Sequence, residues 1–363
     1  VENVGIKSLF GNIYKDRRVL ITGHTGFKGS WLALWLERLG AKIAGYSLSP
    51  PTQPNHYDLL NLPCDSIIGD IRDIEKLKQA FSRFEPEIVF HLAAQPLVRY
   101  SYKEPKETFE VNVIGTVNVS DVCRITPSVK AIVNITSDKC YENKEWVWGY
   151  RENDPMGGYD PYSASKGCSE LVTNAYRNSF FHPEQYGKTH HILVASARAG
   201  NVIGGGDWGA DRLVPDIMRS AAKGEKVLIR SPHAIRPWQH VLEPLSGYLL
   251  LGQKLLEGKT EFSGAWNFGP CSDDHHQVIT VVKNMQNFWD KIDFSIISDD
   301  EEKPHEANLL KLDCSKAYIR LGWKPVWNSF TAFEKTAIWY RNFYDVSNII
   351  SCQNLSEYID SAE

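Results

Sequence analysis

Apolar residues come in two spacings along this chain. Short, nearly continuous blocks lie at Arg18–Thr22, Lys42–Tyr46, Ser66–Ile68, Ile88–His91, Ala131–Ile135 and Ile192–Arg198. Such a block suits a strand buried on both faces, because successive side chains leave a sheet on opposite sides. Most of the stretches between the blocks are amphipathic with a helical period. After the first block, Phe27, Trp31, Leu34, Trp35, Arg38 and Leu39 follow at helical spacing, and Gly40 ends the helix. Strands alternating with helices predict an α/β fold of Rossmann type: a doubly wound parallel sheet with ligands at the carboxyl ends of its strands. Beyond Ala199 the pattern loosens into Gly- and Trp-rich loops with scattered helices. The expected division is residues 1–198 for a dinucleotide-binding unit, with an added segment from about 236–262, and 199–363 mainly for a smaller, interleaved substrate-binding region.

The length of 363 residues fits one large domain or two interlocked ones. Lys and Arg number 40 against 44 Asp and Glu, so no basic excess is available to hold a nucleic acid backbone. No run approaches the 18 or more consecutive apolar residues of a membrane span, and the first residues lack a secretory pattern. The seven Cys are spread without a C-x-x-C pair, which reads as reduced thiols in a cytoplasmic protein. The His pairs at 190–191 and 275–276 are adjacent in sequence, a poor geometry for a metal site, and no metal is expected. Eleven Trp make an aromatic-rich chain, and Trp208 and Trp238 fall in loops where a flat face could meet a ligand.

The first block runs straight into Gly23-His24-Thr25-Gly26-Phe27-Lys28-Gly29. Strand, glycine turn and helix in that order make a cradle for a pyrophosphate, with its charge at the positive end of the helix. Gly23, His24, Thr25, Gly26, Phe27 and Gly29 are therefore candidate dinucleotide contacts. His24 is bulky for its place and predicts weak cofactor retention through crowding. The second block ends Tyr46-Ser47-Leu48, without the acid that usually takes the adenosine ribose. Asp70, beside Ile71 after the third block, can accept from an adenine amino group or serve as a plain turn residue or cap. Leu92, Ala93 and Ala94 after the fourth block are small enough to let a cofactor pass close, and Gln95 follows them.

Asp160 and Pro161 open another helix as N-cap and first residue, and Tyr162 and Lys166, four apart, share its face. A tyrosine base working near neutrality needs its pKa lowered by about three units, which a neighbouring ammonium and a positively charged cofactor ring could supply.

TGHTGFKG, GDIRD, HLAAQ and Tyr162-x-x-x-Lys166 together resemble the extended short-chain dehydrogenases/reductases, in the branch acting on nucleotide sugars. That resemblance spans almost the whole chain. It implies NAD as cofactor, Tyr162 as the group that moves a hydroxyl proton, Lys166 as its helper and Ser137 as the hydroxyl at the end of the fifth strand. Asp138 and Lys139 add an acid and a base beside this couple, where the better-known 4,6-dehydratases of the branch have Asp-Glu. Lys139 then takes part in moving the C5 proton or positions the group that does. The segments RAGNVIGGGDW and DRLVPDI are most similar to dehydratases that act on CDP-linked glucose, which implies CDP-glucose as substrate. Gln95, Asn201, Arg212, Leu213, Arg236, Trp238 and His305 are the implied substrate contacts. Another nucleotide-sugar 4,6-dehydratase, for UDP-N-acetylglucosamine or a related sugar, and a nucleotide-sugar epimerase remain alternatives. The branch also implies a homodimer or homotetramer built on a four-helix bundle, with Glu107–Ile125 and Tyr162–Phe181 as the paired stretches.

Overall fold

The computed structural model describes residues 9–229, 231–271, 274, 276–296 and 309–362. Six strands follow the apolar blocks closely: β1 (Arg18–Thr22), β2 (Lys42–Ser47), β3 (Asp65–Ile68), β4 (Ile88–His91), β5 (Ala131–Ile135) and β6 (Leu193–Ala199). A seventh, β7 (Ala265–Phe268), is interrupted by the polar Asn267 and does not announce itself, and it pairs with β6. All pairs are parallel, in the order β7-β6-β5-β4-β1-β2-β3. The order reverses at β1, so a crevice opens between the carboxyl ends of β1 and β4.

Alternation along each strand divides the core. Val19 and Ile21, Ile88 and Phe90, and Ala131 and Val133 face one cluster, which includes Trp31 and Leu34 of α1 (Phe27–Arg38). Leu20, Val89 and Ile132 face the opposite cluster with α2 (Ile74–Phe84), α3 (Gly115–Ile125) and residues flanking α4 (Pro161–Ser179). A third core binds α5 (Leu213–Lys223) to Trp208, Trp238 and Trp289. From the later part of the chain, α6 (Leu242–Leu256) returns to pack on β5 and β6. Near the end of the described chain lie α7 (Ser329–Val346) and α8 (Ser351–Ala362). The last helix is fastened down: Tyr358 donates to Glu243 at 2.8 Å, and Ser351 Oγ accepts from Trp339 Nε1 at 2.9 Å.

The tryptophan expectation needs correction for Trp208 and Trp238. Trp208 is packed edge-on against Trp339, Tyr340 and Phe343, and its ring nitrogen donates to the Tyr344 hydroxyl at 2.9 Å. Trp238 is only 6% exposed inside the same core. Burying large rings is what stabilises this small third core, and it leaves neither as an open stacking face.

Candidate active site

β1 ends at Thr22 and the chain turns through Gly23, whose φ of +78° suits glycine alone among ordinary residues. A Cβ at Gly23 would stand 2.8 Å from the Ala93 backbone nitrogen, and one at Gly29 would stand 2.1 Å from the Gly23 carbonyl oxygen. The loops after β1 and β4 therefore lie backbone to backbone across the crevice. Gly26 caps α1 without any side chain, leaving the opening amides of a twelve-residue helix available to an anion. This cradle, which any larger residue would fill, fits a dinucleotide pyrophosphate.

The neighbouring candidates are placed unevenly. Thr25 hydrogen-bonds Ser47 at 2.6 Å, while Leu92, Ala93, Ala94 and Phe27 are half-buried along the crevice. Ile71 lies against Gly115 of α3. The Asp70 carboxylate is paired with Arg72 at 2.6 Å and accepts the Arg72 amide at 2.8 Å; the Arg72 hydrogen bond holds its pKa below the usual carboxylate range. The cap of α2 is Asp73 instead.

His24 departs from expectation. Its ring is 0% exposed, lies where a Cβ on Gly45 would go, and reaches Ser66 Oγ at 2.7 Å. Burial lowers its pKa to about 4. A side chain with no accessible surface in the ligand-free protein does not line the crevice, so crowding of a cofactor by His24 is ruled out. The imidazole is a filler between the turn and β2.

At the end of β5 the chain makes a tight turn over Asp138–Cys140. Ser137 Oγ donates to Asp138 Oδ1 at 2.9 Å and accepts from the Lys139 amide at 3.2 Å. Facing it is the first turn of α4, set by Asp160, which accepts the Ser163 amide, and by Ser101, which accepts the Tyr162 amide. Tyr162 lies within electrostatic reach of Ser137 and Asp138, and Lys166 is buried one helical turn further along α4. Burial raises the Asp138 pKa against the pull of Lys139, the Ser137 hydrogen bond and Lys28. Burial lowers Lys166 to about 8.

Burial pushes the Tyr162 pKa up to about 12, with Ser137 and the Arg212 charge pulling the other way.

The substrate candidates divide into three groups. Asp138, Lys139, Asn201, Arg236, Pro237 and Leu310 line one crevice, which brings Asn201 and Arg236 to the acid–base turn. Arg212 stands before Leu213 at the start of α5, paired with Asp207 at 2.8 Å and within electrostatic reach of Tyr162. Gln95 does not present its amide to the crevice: Oε1 accepts from the Leu97 amide, and Nε2 donates to Leu97 O and Thr108 Oγ1. Gln95 positions a loop, and Trp238 is a core residue. His305 lies outside the described residues.

Sequence reasoning missed Glu170, which sits one helical turn beyond Lys166. Its carboxylate accepts from Arg198 at 2.8 Å and from Ser196 at 2.7 Å, and also from Thr136. Arg198 Nη1 then reaches Tyr141 OH at 2.6 Å. This buried network ties α4 to β5, β6 and the chain just after Cys140. The only signal was the i, i+4 spacing from Lys166, which marks a shared helix face without naming a partner on β6. Lys28 was missed as well: its charge interacts with Lys166, Arg212 and Asp138.

The sequence profile of the GDP-mannose 4,6-dehydratase family matches residues 20–336. The chain belongs to that family. Among relatives, CDP-glucose 4,6-dehydratase of Salmonella typhimurium is 52% identical over 354 residues, covering 96% of this chain and 98% of its own. Among solved structures, an epimerase from Methanothermobacter thermautotrophicus superposes with a TM-score of 0.79 at 23% identity, covering 94% of this chain and 97% of its own. dTDP-glucose 4,6-dehydratase of Bacillus anthracis, in complex with NAD, gives 0.74 at 20% identity, covering 91% and 97%. At such identities the structures speak for the fold. The family profile ends within α7, so the end of that helix and all of α8 lie beyond the matched stretch.

Proposed function

We propose that the chain is a CDP-glucose 4,6-dehydratase, an NAD-dependent hydro-lyase converting CDP-glucose to CDP-4-keto-6-deoxyglucose and water. The observation that carries this reading is the 52% identity to the Salmonella typhimurium enzyme over nearly the full length of both chains. The turn placing Asp138 and Lys139 beside Ser137 and Tyr162 agrees with it. NAD, when bound, would supply a hydride acceptor for C4 of the sugar and a donor for C6. Gly23, Thr25, Gly26, Phe27 and Gly29 would hold its pyrophosphate, Asp70 and Ile71 its adenine end, and Leu92, Ala93 and Ala94 would let it pass close.

Tyr162 takes the proton from the C4 hydroxyl while Ser137 hydrogen-bonds the developing carbonyl oxygen. Lys166, buried beneath, supplies positive charge to the phenolate and holds the nicotinamide ribose. The 4-keto group acidifies C5; Lys139, or a group it positions, removes that proton while Asp138 protonates the C6 hydroxyl, which leaves as water, and the same base returns a proton to C5 as C6 is reduced. Burial favours the protonated Asp138 that this step requires. Asn201, Arg212, Leu213, Arg236 and His305 hold the sugar and diphosphate, with Arg suited to a bidentate phosphate contact. Residues 1–198 with about 236–262 form the cofactor unit, and the rest of 199–363 forms mainly the substrate unit.

Incubation with CDP-glucose, UDP-N-acetylglucosamine and other nucleotide sugars, read by mass spectrometry, tests this. Loss of one water from CDP-glucose is expected. An isomer of unchanged mass indicates an epimerase, and water loss only from another sugar reassigns the substrate.

Gly200 supplies a finer test. A Cβ there would stand 3.0 Å from Asp138 Oδ2 and 3.2 Å from Pro237 Cγ, tighter than ordinary contact. In Gly200→Ala, displacement of the acid is expected to slow water loss roughly tenfold or more, with C4 oxidation less affected. Comparing reduced-cofactor absorbance with product formation separates the two steps.

The protein assembles as a homodimer or homotetramer through Glu107–Ile125 and Tyr162–Phe181. Phe109, Ile114, Ile125, Leu171 and Phe180 on these stretches are exposed and apolar, which supports that pairing. It works in the cytoplasm. Among the described residues no helix is long and apolar enough to cross a membrane.

A further inference from the structure

Arg198 can only donate hydrogen bonds, and that fixes the direction of a buried chain running on past Tyr141. Arg198 Nη1 donates to the Tyr141 hydroxyl at 2.6 Å, so the hydroxyl proton points onward, where it meets Asn267 Oδ1 of β7 at 2.7 Å. The Asn267 side-chain nitrogen then has two hydrogens to place, and both are used. Nδ2 donates to the carbonyl oxygens of Tyr150 at 2.8 Å and Asp313 at 3.1 Å. The Asn267 backbone nitrogen donates to Glu152 Oε1 at 2.9 Å. Asn267 is 0% exposed and Tyr141 1%, so leaving any of these polar atoms unpaired is costly.

The chain joins elements that the reaction uses. It starts at Glu170 of α4, one helical turn beyond Lys166, which accepts from Arg198 Nη2 at 2.8 Å. It ends on the backbone of 309–313, where Asp313 N donates to Tyr150 O and Tyr150 N to Lys311 O, both at 2.9 Å. Tyr141 is the middle link and directly follows the Asp138–Cys140 turn. Its ring stacks on Tyr150 with centroids 5.2 Å apart, in one small core with Cys140 and Leu310. Leu310 in turn lines the crevice with Asp138 and Lys139. The acid–base turn and a wall of its crevice therefore share one support, the Tyr141 hydroxyl and the Asn267 amide.

We propose that Tyr141 and Asn267 are positioning residues for the loss of water: their hydrogen-bonded chain holds the Asp138–Cys140 turn to the 309–313 wall and so fixes where Asp138 and Lys139 stand along the crevice. The effect on water loss rests on the dehydratase reading above, whereas the tie between turn and wall does not. C4 oxidation uses Ser137, Tyr162 and Lys166, and none of their side chains is a link in this chain. The chain therefore bears on the second step more than on the first.

Tyr141→Phe keeps the stacked ring and removes the middle link, and Asn267→Leu removes the amide at nearly constant volume. Each is expected to slow loss of water from CDP-glucose about tenfold or more, while C4 oxidation, followed by reduced-cofactor absorbance in a single turnover, stays within about threefold of wild type. Both rates are read at a temperature where the variant is folded. A role in stability alone leaves the ratio of the two rates at its wild-type value and overturns the proposal. The double variant is expected to lose no more than the larger single loss, because either change breaks the same chain; losses that multiply also overturn it. Amide hydrogen exchange, read by mass spectrometry, tests the tie without substrate. In Tyr141→Phe, 138–141 and 309–313 are expected to exchange about tenfold faster together, while 162–169 keeps its wild-type rate. Faster exchange in only one of the two segments, or in neither, overturns the tie. A wild type that removes no water from CDP-glucose overturns the dehydratase reading instead, and exchange alone then decides the tie.

Discussion

Tyr162→Phe is expected to lose dehydration of CDP-glucose by at least about a hundredfold, and up to about 10⁴-fold, while binding the cofactor as the wild type does. The phenol is the group proposed to take the C4 proton, and Phe keeps the ring while removing the oxygen that interacts with Ser137. Without C4 oxidation the C5 proton stays unactivated, so Asp138 and Lys139 cannot act. Mass spectrometry of the product and fluorescence titration of the cofactor check both halves. Retention of a tenth or more of wild-type turnover would sink the assignment. Full activity loss together with lost cofactor binding would make Tyr162 a structural residue.

The second large effect is on stability. Arg198→Met is expected to lower the unfolding free energy by about 3–5 kcal/mol, because it strands the buried Glu170 carboxylate. Arg198 and Glu170 side chains are 4% and 5% exposed. Burial works to raise the Glu170 pKa, but the Arg198 charge and the hydrogen bonds from Arg198, Thr136 and Ser196 outweigh it and hold it low. A carboxylate held below its unfolded value adds stability fully present above that value, and lost as pH falls through the folded one. Arg198→Met should therefore show a weakened acid dependence in denaturant unfolding. The double variant Arg198→Met with Glu170→Gln is expected to recover part of the loss, since no unpaired charge remains. A loss under about 1 kcal/mol for the single variant would mean that water reaches the site and the pair is not buried in solution.

The strands and the glycine turn were legible because each depends on local chemistry. Val19 to Ile21 and Ala131 to Val133 are apolar whichever face they meet, and Gly23 takes a positive φ that glycine adopts without strain. The Asp160 cap and Pro161 start of α4 are likewise local, and they deliver Tyr162 and Lys166 to one face. β7 was not legible, since Ala265–Phe268 becomes a strand through the free edge of β6. Trp208 and Trp238 misled for a related reason: a ring in a Gly-rich loop looks available until the surfaces of α5 and α7 close over it. His24 misled because its position between glycines did not reveal Gly45 beneath it, whose missing side chain makes the room.

The chain by itself determined the order of elements, the cradle after β1 and the residue types needed for proton transfer, because these follow from backbone sterics, burial and side-chain chemistry over a few neighbours. Only the tertiary structure decided which charges meet. Glu170 and Arg198 lie on different elements, α4 and β6, and pair at 2.8 Å. Electrostatic pairing depends on distance and burial, and both come from the packing of the sheet and its helices.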